Sequence, residues 1–581
     1  MEILGASRRI AFYCDRLQKA GSALSPRKSL SMCFKHTFGD FIASALILNF
    51  SLGLATNSML RQTPGLCYPL ELQKRRTMKS KSLFEEYKVK MREFSHLGSI
   101  AAVLSWDQQT MAPAESHNFR GKQMAALSKH LHRMATTPEN GKLLQELYDF
   151  GPEVYDAYQW RSIEETKRSF EESTRIPEEL VARCAELGVV GHGTWQEARK
   201  KNEYSIFEPV LREWIELRKK ISNALYPDKH PYDVCLDCFE RGLDRKTVDS
   251  IFNPLQRGLI KLQNAIWSSS KRIPDTPAGP YEIELQKKMN RHIASWLGFS
   301  FEKGRLDESS HPFSVGLHQT DVRMTTRYEP ANFISSLLCL VHETGHSLYE
   351  QGLPLGEYED LPVSGALGLV VHESQSLLFE RRVGQSSGFW KALRPSLIEA
   401  FPFLEPYCEA DLYEIANRVE HCPIRINADE VTYPMHIILR YELERDLFDG
   451  TLDVSELPEA WNQRSKHLLG IDPESDAMGV LQDAHWSDGS FGYFPVYTLG
   501  AMYGSQLFDT ARSQVPTLDD EMGEGQYDSL LTWLRERVHQ KGRLLEAFDL
   551  LKEITGKELD PQIYLDYLWK KYSEIYNLDR S

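Results

Sequence analysis

The chain is poor in cysteine, with nine in 581 residues, an odd number at no framework spacing. That argues against a secreted disulfide scaffold. Cys235 and Cys238 form a C-x-x-C pair with no second pair to complete a structural zinc site, which leaves two ordinary thiols in a reducing compartment. No Gly-rich phosphate loop of either common type is present. No low-complexity stretch and no fixed-period repeat divides the chain. The apolar run Phe41 to Ala55 contains Asn49 and is shorter than the roughly twenty apolar residues a membrane span needs. Acidic side chains are scarce at the front, where residues 1–80 hold four Asp+Glu against twelve Lys+Arg. Of 68 basic and 82 acidic residues in all, the rest of the chain carries 56 and 78, a net of −22. So acidic a body lacks the positive footprint that nucleic-acid binding requires, and no nucleic-acid partner is expected.

The basic, Ser-rich front has the bias of an organelle transit segment. A signal anchor over Phe41 to Ala55 is one alternative; a true start at Met78, with the upstream text a gene-model artefact, is the other. The expected division is a basic N-terminal extension, 1–80, and one body, 81–581. The expected location is intracellular: cytoplasmic, or plastid or mitochondrial if the extension is a genuine transit peptide. No stable membrane association is expected.

From Ser82 onward the apolar residues recur at three and four, the period of an amphipathic helix. "RIPDTPAGPYE", Arg272 to Glu282, reads as a connection between helices. Strand character is confined to "SVGLHQTDVRMTTRYEP", which alternates well enough for a small hairpin. "ANFISSLLCLVHETGHSLYEQG" then reads as one apolar helix, with Pro330 near its first turn and Gly352 at its end. Its His342 and His346 stand one above the other on one face, a spacing at which two imidazoles reach one divalent cation. Glu343 lies about 100° round the helix. There it is placed to accept a proton from a metal-activated water. Polar side chains in so apolar a helix are costly without a shared purpose, which favours a metal site over two chance histidines. A catalytic cation needs a third protein ligand. A second apolar helix, "GALGLVVHESQSLLFERRVG", offers His372 and Glu373, and spacing alone leaves the choice between them open.

An ordered set of motifs then resembles the carboxypeptidase Taq family of zinc-dependent metallocarboxypeptidases. It comprises "HPF" at His311, "DVRMT" at Asp321, "HETGH" at His342, "HESQ" at His372, "IRINAD" at Ile424 and "GVLQDAHW" at Gly479. The resemblance covers about Ser82 to the C-terminus. It implies zinc, or cobalt or another divalent metal, held by His342, His346 and Glu373, with Glu343 as general base. It implies a mainly α fold: a large multi-helix body with a deep substrate groove and a small β-sheet beside the metal site. A homodimer is also implied. Arg425 is the expected partner of a peptide's terminal carboxylate, since a guanidinium pairs bidentately with carboxylates; the rival is an ion pair with Asp429 at i+4. Tyr493 or Tyr497 is expected to stabilise the oxyanion. His485 and Asp483 are expected either to face the substrate or to support the groups that do; Arg323 is expected to bind substrate, the alternative being that Arg323 and Asp321 brace the cleft.

The expected activity is release of single residues from peptides with a free C-terminus. An endo-acting or dipeptide-releasing metallopeptidase and a non-hydrolytic, metal-dependent peptide-binding scaffold are the alternatives.

Overall fold

The computed structural model describes residues 70–579, with side chains from residue 75. The expected extension lies outside the described residues up to position 69, as does the run Phe41 to Ala55. Helix α1, Leu70–Thr110, is continuous across position 80. Among the described residues there are twenty α-helices and one three-stranded sheet. No helix among them is long and apolar enough to cross a membrane.

The sheet comprises β1 (Gly304–Glu308), β2 (Ser314–His318) and β3 (Asp321–Thr326), in the order β1-β3-β2. The expected hairpin is β2–β3, antiparallel, with Val315 opposite Arg323. Strand β1 joins the other edge of β3 in parallel. Its sequence GRLDE has no apolar alternation, so pairing with β3, not local pattern, makes it a strand. The sheet is clamped between α1 and the HETGH helix. Ala102 and Trp106 of α1 pack on Phe313, Val315 and Leu317.

That HETGH helix, α2, runs Phe333–Gly352. It begins later than the expected first turn at Pro330. The Asn332 side chain accepts the Ser335 N–H at 3.2 Å, satisfying one of the four unpaired donors at the helix start. The Pro330 carbonyl is instead occupied by the Tyr281 N–H at 2.9 Å. Helix α3, Leu369–Leu377, carries "HESQ" and continues into a π-helical turn, Leu378–Gly384. Helices α4 (Tyr433–Asp449) and α5 (Pro495–Gln514) complete the surroundings of the site. Residues of α2 to α5 belong to the main apolar core: Leu340 and Val341 of α2, Val370 and Val371 of α3, Ile437 of α4 and Leu499 of α5 are all buried.

Candidate metal centre

Close backbone approach brings the candidate ligands together. A Cβ at Gly345 of α2 would lie 2.5 Å from the Gln375 carbonyl oxygen and 2.8 Å from Ser376 Cα, so only glycine admits α3 at this distance. On the opposite flank, a Cβ at Gly504 of α5 would lie 2.5 Å from the Ser374 carbonyl oxygen. Helix α3 is thus held between two glycine contacts, and Glu373 faces α2. Ligand atoms of His342, His346 and Glu373 all lie within 4.8 Å of one another. His346 Nε2 is 3.5 Å from Glu373 Oε2. His372 points elsewhere: its Nδ1 lies 2.7 Å from His346 Nδ1 and its Nε2 lies 2.9 Å from Glu350 Oε1. Of the two adjacent candidates, Glu373 is the one in the cluster.

The other imidazole nitrogens are engaged. His342 Nδ1 lies 2.7 Å from Glu380 Oε2, and Arg381 Nη2 is 3.0 Å from the other oxygen of Glu380. His346 Nδ1 is also 3.0 Å from the His372 carbonyl. Each ring therefore has its Nδ1 side occupied and its Nε2 side available. Glu343 is 6% exposed, and the Ser314 hydroxyl donates to its Oε2 at 2.7 Å. The base candidate is thus oriented from β2, across the sheet–helix contact.

The charge of the cluster suits a cation. Burial alone would lower the His342 pKa, but Glu380, Glu373 and Glu343 together raise it to about 9. Three carboxylates around one imidazole make the cluster strongly negative. Two imidazoles and one carboxylate are a donor set for a divalent transition metal, and they fit one here.

The surroundings of Arg425 differ from the i+4 rival. Residues Arg425–Asn427 form a 3₁₀ turn, so the α-helical spacing does not apply. Asp429 accepts from the Val431 and Thr432 N–H groups and the Thr432 hydroxyl, at 2.7–3.0 Å. Arg425 instead donates to Asp483 Oδ1 from Nε (3.1 Å) and Nη2 (2.8 Å), and from Nη1 to the Tyr433 hydroxyl at 2.8 Å. Arg440, fully buried, donates from Nε to Asp483 Oδ2 at 2.7 Å. Two guanidiniums share one carboxylate. His436 and His485 add no positive charge, since burial lowers each to about 3, with the two arginines adding to the effect. Glu444 lies one turn beyond Arg440, and burial raises it to about 7 against three donors: Gly492 N–H, Trp486 Nε1 and the Tyr232 hydroxyl. Those donors make Glu444 the anchor of the loop from His485 to Tyr493.

His485 Nδ1 is buried with no hydrogen-bond partner among the described residues. Tyr493 and Tyr497 meet edge to face at 5.3 Å, and Tyr497 lies under the Arg425 guanidinium at 5.1 Å. Burial pushes the Tyr497 phenol well above its ordinary value, with Arg425 opposing and Glu373 adding to it. The same balance puts Tyr433 at about 12, so both phenols sense the Glu373 carboxylate. Arg323 is bidentate to Asp321 (2.9 and 2.8 Å) and lies over the Trp106 ring at 4.6 Å, bracing β3 against α1.

Glu380, Ser314, Tyr433, Arg440 and Glu444 escaped the sequence reading. Of these, Glu380 alone stands two turns from a candidate ligand, seven residues after Glu373 in the same helical stretch. Replacing it with Gln removes the charge that holds His342. Divalent-metal affinity is expected to fall about 10- to 100-fold, measured by chelator competition. Unchanged affinity would remove Glu380 from this role.

A family model described as Carboxypeptidase Taq (M32) metallopeptidase matches residues 86–572. The chain is similar to thermostable carboxypeptidase 1 of Thermus thermophilus, 37% identical over 498 residues, covering 84% of this chain and 97% of that protein. Carboxypeptidase 1 of Bacillus subtilis is 34% identical over 491 residues, covering 84% and 97%. The fold is similar to the crystal structure of the M32 carboxypeptidase of Deinococcus radiodurans R1, with a TM-score of 0.83 and 32% identity over 86% of this chain and 100% of that one.

Proposed function

Because this chain belongs to the carboxypeptidase Taq (M32) metallopeptidase family, we propose that it is a zinc carboxypeptidase that releases single amino acids from peptides with a free C-terminus, with Glu343 as general base. Metallocarboxypeptidase activity follows from the family. The finer reading rests on one observation above all, the pair Arg425 and Arg440 on the single carboxylate of Asp483. A buried surplus of positive charge is costly and is relieved by an anion. A peptide's terminal carboxylate is that anion. Of five guanidinium N–H groups on Arg425, three are spent on Asp483 and Tyr433, leaving two to donate.

A divalent cation held by His342, His346 and Glu373 would supply Lewis acidity at the scissile carbonyl and a lowered pKa for the attacking water. Arg425 sets the distance from the terminal carboxylate to that point. Glu343, oriented by Ser314, takes the proton from the water and delivers it to the departing amine. Tyr493 or Tyr497 donates to the developing oxyanion. His485, neutral and with Nδ1 unpaired, faces the substrate backbone. Arg323 lines the approach while bracing β3. The same reading includes a homodimer as the working form.

Matched peptides with free and amidated C-termini test it. Sequential release of single residues from the free acid alone is expected, abolished by chelator and restored by added Zn²⁺ or Co²⁺. Cleavage of the amidated peptides would replace this reading with an endo-acting enzyme. Metal-dependent binding of either peptide without turnover would replace it with a scaffold.

A further inference from the structure

We propose that His372 and Glu350 are positioning residues for the metal centre. A hydrogen-bond chain runs from the Glu350 carboxylate through the His372 ring to His346, and it holds His346 in the tautomer whose bare Nε2 faces Glu373. The inference rests on reading His342, His346 and Glu373 as the ligands.

The order of hydrogens along the chain follows from what each group can do. Glu350 Oε1 lies 2.9 Å from His372 Nε2, and a carboxylate only accepts, so that nitrogen carries a hydrogen. A neutral imidazole has one N–H, which leaves His372 Nδ1 as an acceptor. His372 Nδ1 and His346 Nδ1 are 2.7 Å apart, a contact that needs one hydrogen between the two nitrogens. It comes from His346. The His372 carbonyl, 3.0 Å from the same His346 nitrogen, is a second acceptor converging on it. His346 is then protonated on Nδ1 and bare on Nε2, the nitrogen 3.5 Å from Glu373 Oε2.

The surroundings hold this arrangement in place. Glu350 lies one helical turn after His346 on α2, and its carboxylate occupies the space over Gly316 of β2 that any side chain there would fill. The His372 ring is 4.6 Å from the His346 ring and meets Tyr349 edge on at 5.5 Å. These two contacts, with the hydrogen bonds at both ring nitrogens, fix the plane of the His372 ring. The two ligand histidines are thus oriented by unlike means, His342 by a carboxylate directly and His346 by a carboxylate acting through a second imidazole.

Two amides of different length separate this role from simple packing. In His372→Asn the side-chain oxygen sits near the lost Nδ1 and still accepts from His346. In His372→Gln the amide sits near the lost Nε2, keeping Glu350 but abandoning His346. Zn²⁺ affinity of the metal-stripped full chain is measured by competition with a chromophoric chelator, alongside near-ultraviolet circular dichroism and the unfolding midpoint. His372→Asn is expected within about threefold of the parent, and His372→Gln about 10- to 100-fold weaker, the range for lost orienting partners. Glu350→Leu frees the ring to take its other tautomer and is expected to weaken binding about tenfold. Equal affinity for the Asn and Gln variants, or a folded Gln variant within twofold of the parent, overturns the proposal. Should the Gln variant fail to fold, unchanged affinity in Glu350→Leu overturns it instead. His346→Ala serves as the control: if it leaves Zn²⁺ binding intact, the ligand reading itself has failed, and the positioning role with it.

Discussion

Glu343→Gln is expected to bind its metal with unchanged affinity and to lose at least about 10²-fold in kcat, the lower end for removing a general base. The amide is nearly isosteric and its oxygen still accepts the Ser314 hydroxyl, which lies 2.7 Å from Oε2 in the parent. Local geometry should therefore survive, while no group remains to take the water's proton. KM should move little, since the substitution leaves the carboxylate-binding end untouched. Metal content and kcat measured on the same preparation separate the two effects. Near-normal turnover with full metal would take Glu343 out of the mechanism and leave the water without an assigned base.

Arg425→Met is expected to lower kcat/KM on free-acid peptides roughly 30- to 5,000-fold, the equivalent of about 2–5 kcal/mol for truncating one partner of a buried charge pair. The fold should tolerate it, because Asp483 keeps Arg440 at 2.7 Å and the remaining pair is neutral. Arg425→Lys should recover only part of the loss, since an ammonium lacks the planar fork. The decisive control is a substrate amidated at its C-terminus. The parent enzyme should discriminate strongly against it, and Arg425→Met should lose most of that discrimination. If the variant retains the parental preference for free acids, the terminal carboxylate is bound elsewhere, and Arg440 becomes the next candidate.

The sequence is most legible where chemistry is local. His342 and His346 are one helical turn apart, so a shared face follows from helix geometry alone. The β2–β3 hairpin was legible because its residues alternate. Distant contacts leave no such mark. The start of α2 lies after Pro330, where the Asn332 side chain caps it. Strand β1 has no pattern of its own and exists by pairing with β3. Ser314 and Glu343 are 29 residues apart, and Arg425 and Asp483 are 58 apart. No periodicity joins such pairs.

What the chain's text determined by itself was the helical class, the small hairpin and the pair of imidazoles, all set by repeats shorter than two helical turns. Tertiary structure decided that Glu373 joins the ligand cluster of those imidazoles, while His372 contacts His346 from its Nδ1 side. The two are neighbours about 100° apart on α3 and both reach α2, and which one lies on the Nε2 side of the imidazoles depends on helix rotation. That rotation is set by backbone contacts at Gly345 and Gly504, from helices on opposite flanks. Likewise, Arg425 and Arg440 meet only once folding places them on the two oxygens of a single buried carboxylate.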